Sequence, residues 1–294
     1  MRITDHRLVD MSTAAASTNQ SRVADISEEV SSGLRVSRPS QDPTAWLAAQ
    51  RARVRATLAD GTAQAFETGH DHLVATDGAL SQISDIVMRV RALAIQGASD
   101  STSADGRASM STEVRGLFSA AVVAGNTRSA DGEYLLAGAS SLTEPFDPAT
   151  GAYRGDATTR AVTTDATTTQ LASVAGSSLT AANGVDVFAT LDRLATALST
   201  NDVATVRSLV GDLDTATSQL ASTRSQTGSM MAVIEQARTA HGELVTHLAT
   251  TISNAVEADT AVAASELAKA TQALEVSRAV SSHIVSMLNP TSSG

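Results

Sequence analysis

The sequence has no cysteine, one lysine and almost no aromatic residues. Without cysteine there are no disulfides, no cysteine-type zinc sites, no iron–sulfur ligation and no thiol nucleophile. Of 21 basic residues only Lys269 is a lysine, and Ala270 follows it, so the Gly-Lys-Ser/Thr of a phosphate loop is not encoded. One Trp, two Tyr and four Phe make up 2% of 294 residues, whereas ligand pockets are usually lined with large side chains. Long apolar runs are missing as well. The stretch from Ala120 to Ala124 is far too short to cross a bilayer. Asp5, His6, Arg7 and Asp10 interrupt what would be the apolar core of a signal peptide, so a soluble chain without a cleavable secretory signal is expected. A net charge of −10 argues against a nucleic-acid or anionic-membrane partner.

Catalytic patterns are equally scarce. No Gly-x-Ser-x-Gly elbow occurs. His70 and His72 are two apart, so a helix would point them in different directions. Glu243 and His247 could share a helix face, but no third ligand is suggested, and HGELVTH lacks the His-Glu-x-x-His spacing. The acidic residues are scattered along helix faces. The expectation is a non-enzymatic protein with no catalytic, cofactor or metal site.

What the chain has in quantity is Ala, Ser and Thr, about two residues in five. Alanine combines the best helix propensity with a small footprint, which favours long helices lying close together. Leu73, Thr76, Leu80, Ile83, Val87, Val90 and Ala94 alternate spacings of three and four, one stripe of a helix. A polar loop over QGASDSTSADG (96–106) precedes a second helix from about Asp105 to Asn126. Between Tyr134 and Val185 the text changes. Prolines, glycines and aromatics cluster there, and the threonine-rich run from Thr158 to Gly176 predicts two short strands turning near Asp165 to Thr167. Its aromatics are expected to form a tiny core of the segment's own, and Arg154-Gly155-Asp156 to make a tight turn. Asn183-Gly184 predicts a further turn. Helical spacing resumes near Val187 and is read through to the end, with Val203, Val206, Val210, Leu213, Thr217 and Leu220, then Leu267, Ala270, Leu274, Ser277, Ser281, Ile284 and Leu288. The fold class expected is mainly α: an elongated rod of paired N- and C-terminal coiled-coil helices with a small β-rich insertion. A coiled-coil signalling module would lack that insertion.

The segment SSGLRVSRPSQDPTAWL (31–47) is more specific. Gly33 can end a helix, Pro39 and Pro43 deny it further turns, and Asp42 stands as N-cap before Pro43 at the first helical position. Ser31, Gly33, Arg35, Val36, Pro39, Ser40, Asp42 and Pro43 together resemble the N-terminal signature of the flagellin family, with Leu34, Gln41 and Trp46 as departures. Arg89, Leu93, Ala94, Gln96 and Ala98 are similar to that family's next conserved stretch; Arg107, Glu113, Asn126 and Gly132 follow in order. Glu257, Asp259, Glu266, Leu267, Leu274 and Ile284 are in register with its closing helix. Tyr134, Gly138, Pro145, Phe146, Tyr153, Gly155 and Asp156 resemble the branch of the family that joins hook to filament, rather than a short filament flagellin.

The resemblance implies a structural protein of the bacterial flagellum, without cofactors, that assembles with copies of itself. Implied partners are a second hook-associated junction protein on the hook side and flagellin on the filament side. Passage through the flagellar type III apparatus, with a chaperone, is implied too, which would place the protein outside the cell. Terminal helices over 1–40 and 255–294 are expected to form an inner tube, ordered on assembly. Segments 41–133 and 186–254 are expected to form a rod, and 134–185 an outward β domain. The assembly interface is expected at Ile3, Leu8, Met11, Val23, Ile26, Val30, Leu267, Leu274, Ile284 and Leu288, with the motif turn at Gly33, Arg35, Pro39, Asp42 and Pro43.

Overall fold

A computed structural model describes residues 3–165 and 168–288. Among the described residues there are six α-helices and one two-stranded sheet, so the chain is mainly helical with a small β element, as the composition predicts. The helices are α1 (Ile3–Ser32), α2 (Pro43–Gly97), α3 (Ala104–Gly125), α4 (Val187–Ser199), α5 (Val203–Val256) and α6 (Thr260–Leu288). Strands β1 (Ala161–Asp165) and β2 (Thr168–Leu171) pair antiparallel in the threonine-rich run; Ala166 and Thr167 of the expected turn lie outside the described residues. None of the described helices is long and apolar enough to cross a membrane. The chain divides into two compact units, Met1–Ala59 with Glu243–Gly294, and Asp60–Gly242.

In the second unit the main core follows the three–four stripe of α2. Leu73, Thr76, Leu80, Ile83, Val87, Val90 and Ala94 are all fully buried. Leu80 to Ala94 of that stripe meet Val114, Phe118 and Ala121 of α3, Leu191, Leu194 and Leu198 of α4, and Val206, Leu209, Leu213 and Leu220 of α5. Small residues set the approach of α3 to α4, where the Ser111 hydroxyl donates to the Ala195 carbonyl at 2.7 Å. Ser103 caps α3 by accepting from the Gly106 amide at 3.1 Å, two residues before the Asp105 start that the sequence predicts.

The expectation that the insertion closes a core of its own is corrected. Leu136, Phe146 and Leu179 belong to the same buried cluster as α2 to α5. The Phe146 ring lies 4.5 Å from that of Phe188 in α4 and 5.3 Å from that of Tyr153. The Tyr153 hydroxyl donates to the carbonyls of Asp156, at 2.7 Å, and Leu136, at 3.1 Å. Gly138 has φ +70°, and a Cβ there would stand 2.0 Å from the Asp156 carbonyl oxygen, so only glycine fits. The Arg154-Gly155-Asp156 triplet is absorbed in this turn: Arg154 pairs with Asp147, and the Asp156 carboxylate accepts from the Thr158 amide and hydroxyl. A segment of 52 residues offers too little apolar surface to bury on itself, so it borrows the helices' core.

Helicity is not continuous from Val187 onward, contrary to the sequence reading. Asn201, at φ +57°, separates α4 from α5, and Glu257 to Asp259 separate α5 from α6. Both breaks lie where spacing alone still looks helical. Each is held by a polar side chain: Asp202 accepts from the Thr205 amide, and Asp259 accepts from the amides of Ala261 and Val262.

Candidate assembly interface

The first unit contains both terminal helices. Gly33, at φ +69°, ends α1, and its amide donates to the Glu29 carbonyl at 2.9 Å. The chain then leaves the helix and pairs with the α5–α6 break. Leu34 and Glu257 form an antiparallel bridge, the amides of Arg35 and Val36 donate to the Val256 carbonyl, and the Ala258 amide donates to the Gly33 carbonyl. Arg35 adds a side-chain bond to the Ala255 carbonyl at 2.7 Å. Its guanidinium also lies 3.7 Å from the Asp42 carboxylate. Asp42 caps α2 as the sequence predicts, accepting from the amides of Thr44 and Ala45 at 3.1 and 2.9 Å, with Pro43 at the first helical position. The Ala45 amide, with lesser help from Thr44 and Arg35, holds the Asp42 carboxyl below the usual aspartate pKa. Pro39 is exposed between these anchors.

The three departures from the family motif have roles here. Gln41 accepts from the amides of Ser37 and Arg38, at 2.7 and 3.0 Å, and so closes the turn. Leu34 and Trp46 pack on a small apolar cluster of Val36, Ala49 and Val256. That cluster joins the turn, α2 and α5 in one contact.

Beyond the strap, α1 and α6 pair antiparallel. Ser281 donates to the Ser12 carbonyl, Asn19 donates to the Ala273 carbonyl, and Arg22 bridges Glu266 at 3.0 Å. Lys269 and, more weakly, Arg22 keep the Glu266 carboxyl below its ordinary pKa. Val23, Ile26 and Val30 of α1 and Leu267 and Ile284 of α6 are half-buried in this pair, and Leu274 is buried. Leu8 and Met11 of α1 stand 54% and 74% exposed. The side chains of Ile3 and Leu288 lie outside the described residues. The expected interface residues therefore divide into a set turned toward the neighbouring helix and a set turned outward.

The outward set is larger than the sequence suggests. At about 100° per residue, Val262, Val276, Val280 and Met287 fall on one line of α6, away from the line of Leu267, Ala270 and Leu274, and all four are exposed. The signal is present in the sequence as a second heptad-like register on α6. It is masked by the stronger first one.

The motif residues of the second unit also find partners. Arg89 holds the Glu113 carboxylate through Nη2 and Nε, at 2.6 and 2.9 Å, joining α2 to α3. Arg107, 5% exposed, donates to the carbonyls of Gly97 and Ser99 and to the Asn201 side chain, each at 2.8 Å, and so ties two inter-helix loops together. Asn126 grips Phe146 through both backbone groups. These contacts are architectural. Among the described residues no group of three His, Cys, Asp or Glu is placed to hold a metal ion.

Comparison with known proteins agrees with this architecture. Residues 8–141 match the family model described as the bacterial flagellin N-terminal helical region. Flagellar hook-associated protein 3 of Salmonella typhimurium is 28% identical over 161 residues, which are 53% of this chain and 49% of that protein. The chain spans about half the length of the relatives it matches. Among solved structures, a putative flagellar hook-associated protein from Vibrio parahaemolyticus is 17% identical with a TM-score of 0.68, covering 74% of this chain and all of that one. FlgL of Xanthomonas campestris is 20% identical with a TM-score of 0.61, covering 70% of this chain and 99% of that one. At these identities the structures testify to the fold. The chain is thus similar over residues 8–141 to the bacterial flagellin N-terminal helical region and is similar in sequence to flagellar hook-associated protein 3.

Proposed function

We propose that the chain is a non-enzymatic structural subunit of the bacterial flagellum that joins hook to filament. It acts as a mechanical adaptor and as the template on which filament growth begins. The observation that supports this reading most is the strapped helix pair. Gly33 to Val36 fix α1 against the α5–α6 break, and α1 and α6 then present Leu8, Met11, Val262, Val276, Val280 and Met287 outward. Apolar side chains aligned on an exposed helix face call for a partner surface. In this reading the terminal helices, 1–40 and 255–294, order fully against neighbouring copies and line an inner tube. Segments 41–133 and 186–254 form the rod around it, and 134–185 faces outward. A second hook-associated junction protein contacts the hook side and flagellin the filament side. The subunit leaves the cell through the flagellar export apparatus, helped by a chaperone.

The test is a strain lacking the protein. If it is the adaptor, hooks assemble and flagellin escapes into the medium as monomer, because no matching helix ends are presented for it to add to. Normal-length filaments in that strain would contradict the proposal. Hooks counted by electron microscopy, with the supernatant probed for flagellin, decide the matter.

A further inference from the structure

One helix of the first unit carries charge that nothing around it balances. Arginines elsewhere on the chain mostly face carboxylates, as Arg89 faces Glu113 and Arg224 faces Asp77. Arg51, Arg53 and Arg55 of α2 do not. Among the described residues no carboxylate pairs with any of them, and Arg53 reaches only the Gln50 side chain, at 3.2 Å. Between them runs an apolar line. Leu47, Val54 and Leu58 are 54%, 61% and 69% exposed, on the side of α2 opposite the buried Ala49 and Ala52. At about 100° per residue, Arg51 falls on the same line, and Arg53 and Arg55 flank it on either side. Large apolar side chains edged with like charges are the pattern of one half of a helix–helix contact.

The other half is on the same unit. Ser12, Asn19, Val23, Ile26 and Val30 of α1 turn toward α6. On the opposite side of α1, half a turn away, Asp10, Ala14, Ser17, Ser21 and Asp25 follow one another at spacings of four, three, four and four, and all five are exposed. Neither Asp10 nor Asp25 has an ion-pair partner among the described residues. The side chains between them are small, which lets a neighbouring helix approach closely. Each face supplies what the other lacks: bulk and positive charge on α2, a shallow line and negative charge on α1. A nucleic acid or an anionic membrane is a poorer occupant, because three arginines on a chain of net charge −10 exert little attraction.

We propose that the α2 stripe over 47–58 docks on the outward face of α1 of a second copy. Leu47, Val54 and Leu58 then cover Ala14, Ser17 and Ser21, and the guanidiniums meet Asp10 and Asp25. Two different faces meet, so the contact is head-to-tail and copies add in a row. This rests on the reading of the chain as a self-assembling flagellar subunit. Three turns of helix bury far less than the roughly 1,600 Å² of a standard stable interface, so the contact is weak in an isolated pair and holds in the assembled row.

The chain has no cysteine, so introduced thiols report without background. A chain carrying Ser17→Cys with Val54→Cys, oxidised in isolated flagella, should give a ladder of disulfide-linked multimers on a non-reducing gel. Either single variant should give none. Arg51→Glu with Arg55→Glu should reduce the ladder by about tenfold, since like charges then face each other. Asp10→Arg with Asp25→Arg in the same chain should restore it. Circular dichroism checks that these exposed-site variants keep their fold, and gold labelling of the same flagella separates the contact from the reading beneath it. Gold at the hook tip without a ladder, a link within one copy only, or a dimer from either single variant overturns the contact and leaves the reading standing. So does a ladder that ignores the charge reversal or does not return with its reciprocal. Absence of gold from flagella overturns both.

Discussion

Leu34 and Glu257 face each other as an isolated antiparallel bridge, joining the turn after the first helix to the break before the last. Around this one pairing, Arg35 and Val36 donate to Val256, and Ala258 donates back to Gly33. Two interruptions that would separately expose unpaired backbone groups satisfy one another. The consequence is that α1 and α6 leave the strap side by side.

Asp42 should therefore be felt beyond its own helix. Asp42→Ala removes both the α2 cap and the partner of Arg35, and should lower the melting temperature while speeding amide exchange at Thr44 and Ala45. Because the folded carboxyl titrates below its unfolded value near 3.8, its stabilising effect is present above that pH and fades as pH falls through the lowered folded value. The gap between wild type and Asp42→Ala should close in that acid window. A constant gap down to pH 2 would mean the carboxylate charge is not involved.

Phe146 is the joint between insertion and helices. Phe146→Ala removes a fully buried ring that packs at a tilt against Phe188, and should cost about 3–5 kcal/mol of stability. Excising 134–185 should likewise destabilise the second unit, since Leu136, Phe146 and Leu179 leave its core. Chemical denaturation of both variants checks this; an unchanged midpoint would show that the insertion packs independently.

His72 sets a pH response. Its folded pKa lies below 6.5, so the unfolded chain takes up its proton first as the medium is acidified. Stability should be level above about pH 6.5 and fall as pH drops from there toward the folded value. The charged groups acting on the ring are Arg160, from the insertion, and Glu133, just before it. His72→Gln should flatten this slope, and a slope equal to wild type would assign the acid sensitivity elsewhere.

Arg107 is a buried cation with three acceptors from two loops. Arg107→Met leaves those acceptors without their donor and should cost about 1–3 kcal/mol for each group left dry. Arg107→Lys should recover only part of the loss, because an ammonium cannot span the three positions in a plane. Full recovery with lysine would show that charge alone matters there.

Much of this was legible in residues that obey local rules. The stripe from Leu73 to Ala94, the Gly33 stop and the Asp42-Pro43 start depend on spacing, φ and capping, which a sequence displays directly. The breaks at Asn201 and Glu257 were missed because apolar spacing runs on across them, although the caps Asp202 and Asp259 that hold them are local signals. The membership of Phe146 in the helical core was hidden for a different reason: a ring's neighbour in space is no neighbour in sequence. Within the expected interface, spacing alone does not separate Val23, Ile26 and Val30 from Leu8, because Leu8 and Ile26 are five whole turns apart. Nor does it say which of these meet α6.

The terminal helices should be the least protected part of the isolated subunit. Outside the strap, α1 shares its half-buried line with α6, and much of both helices is exposed. Native-state hydrogen exchange of the full chain should show fast exchange in 3–30 and 266–288, and deletion of 1–30 with 266–294 should leave a folded monomer that no longer enters flagella. Strong protection in these segments would mean that the pair is already complete without neighbouring copies.

Isolated flagella labelled with gold-conjugated antibody to this chain give the most direct reading. A single narrow band of gold is expected at the distal end of the hook, where the filament begins. Gold along the length of the filament, or none on flagella at all, would contradict it.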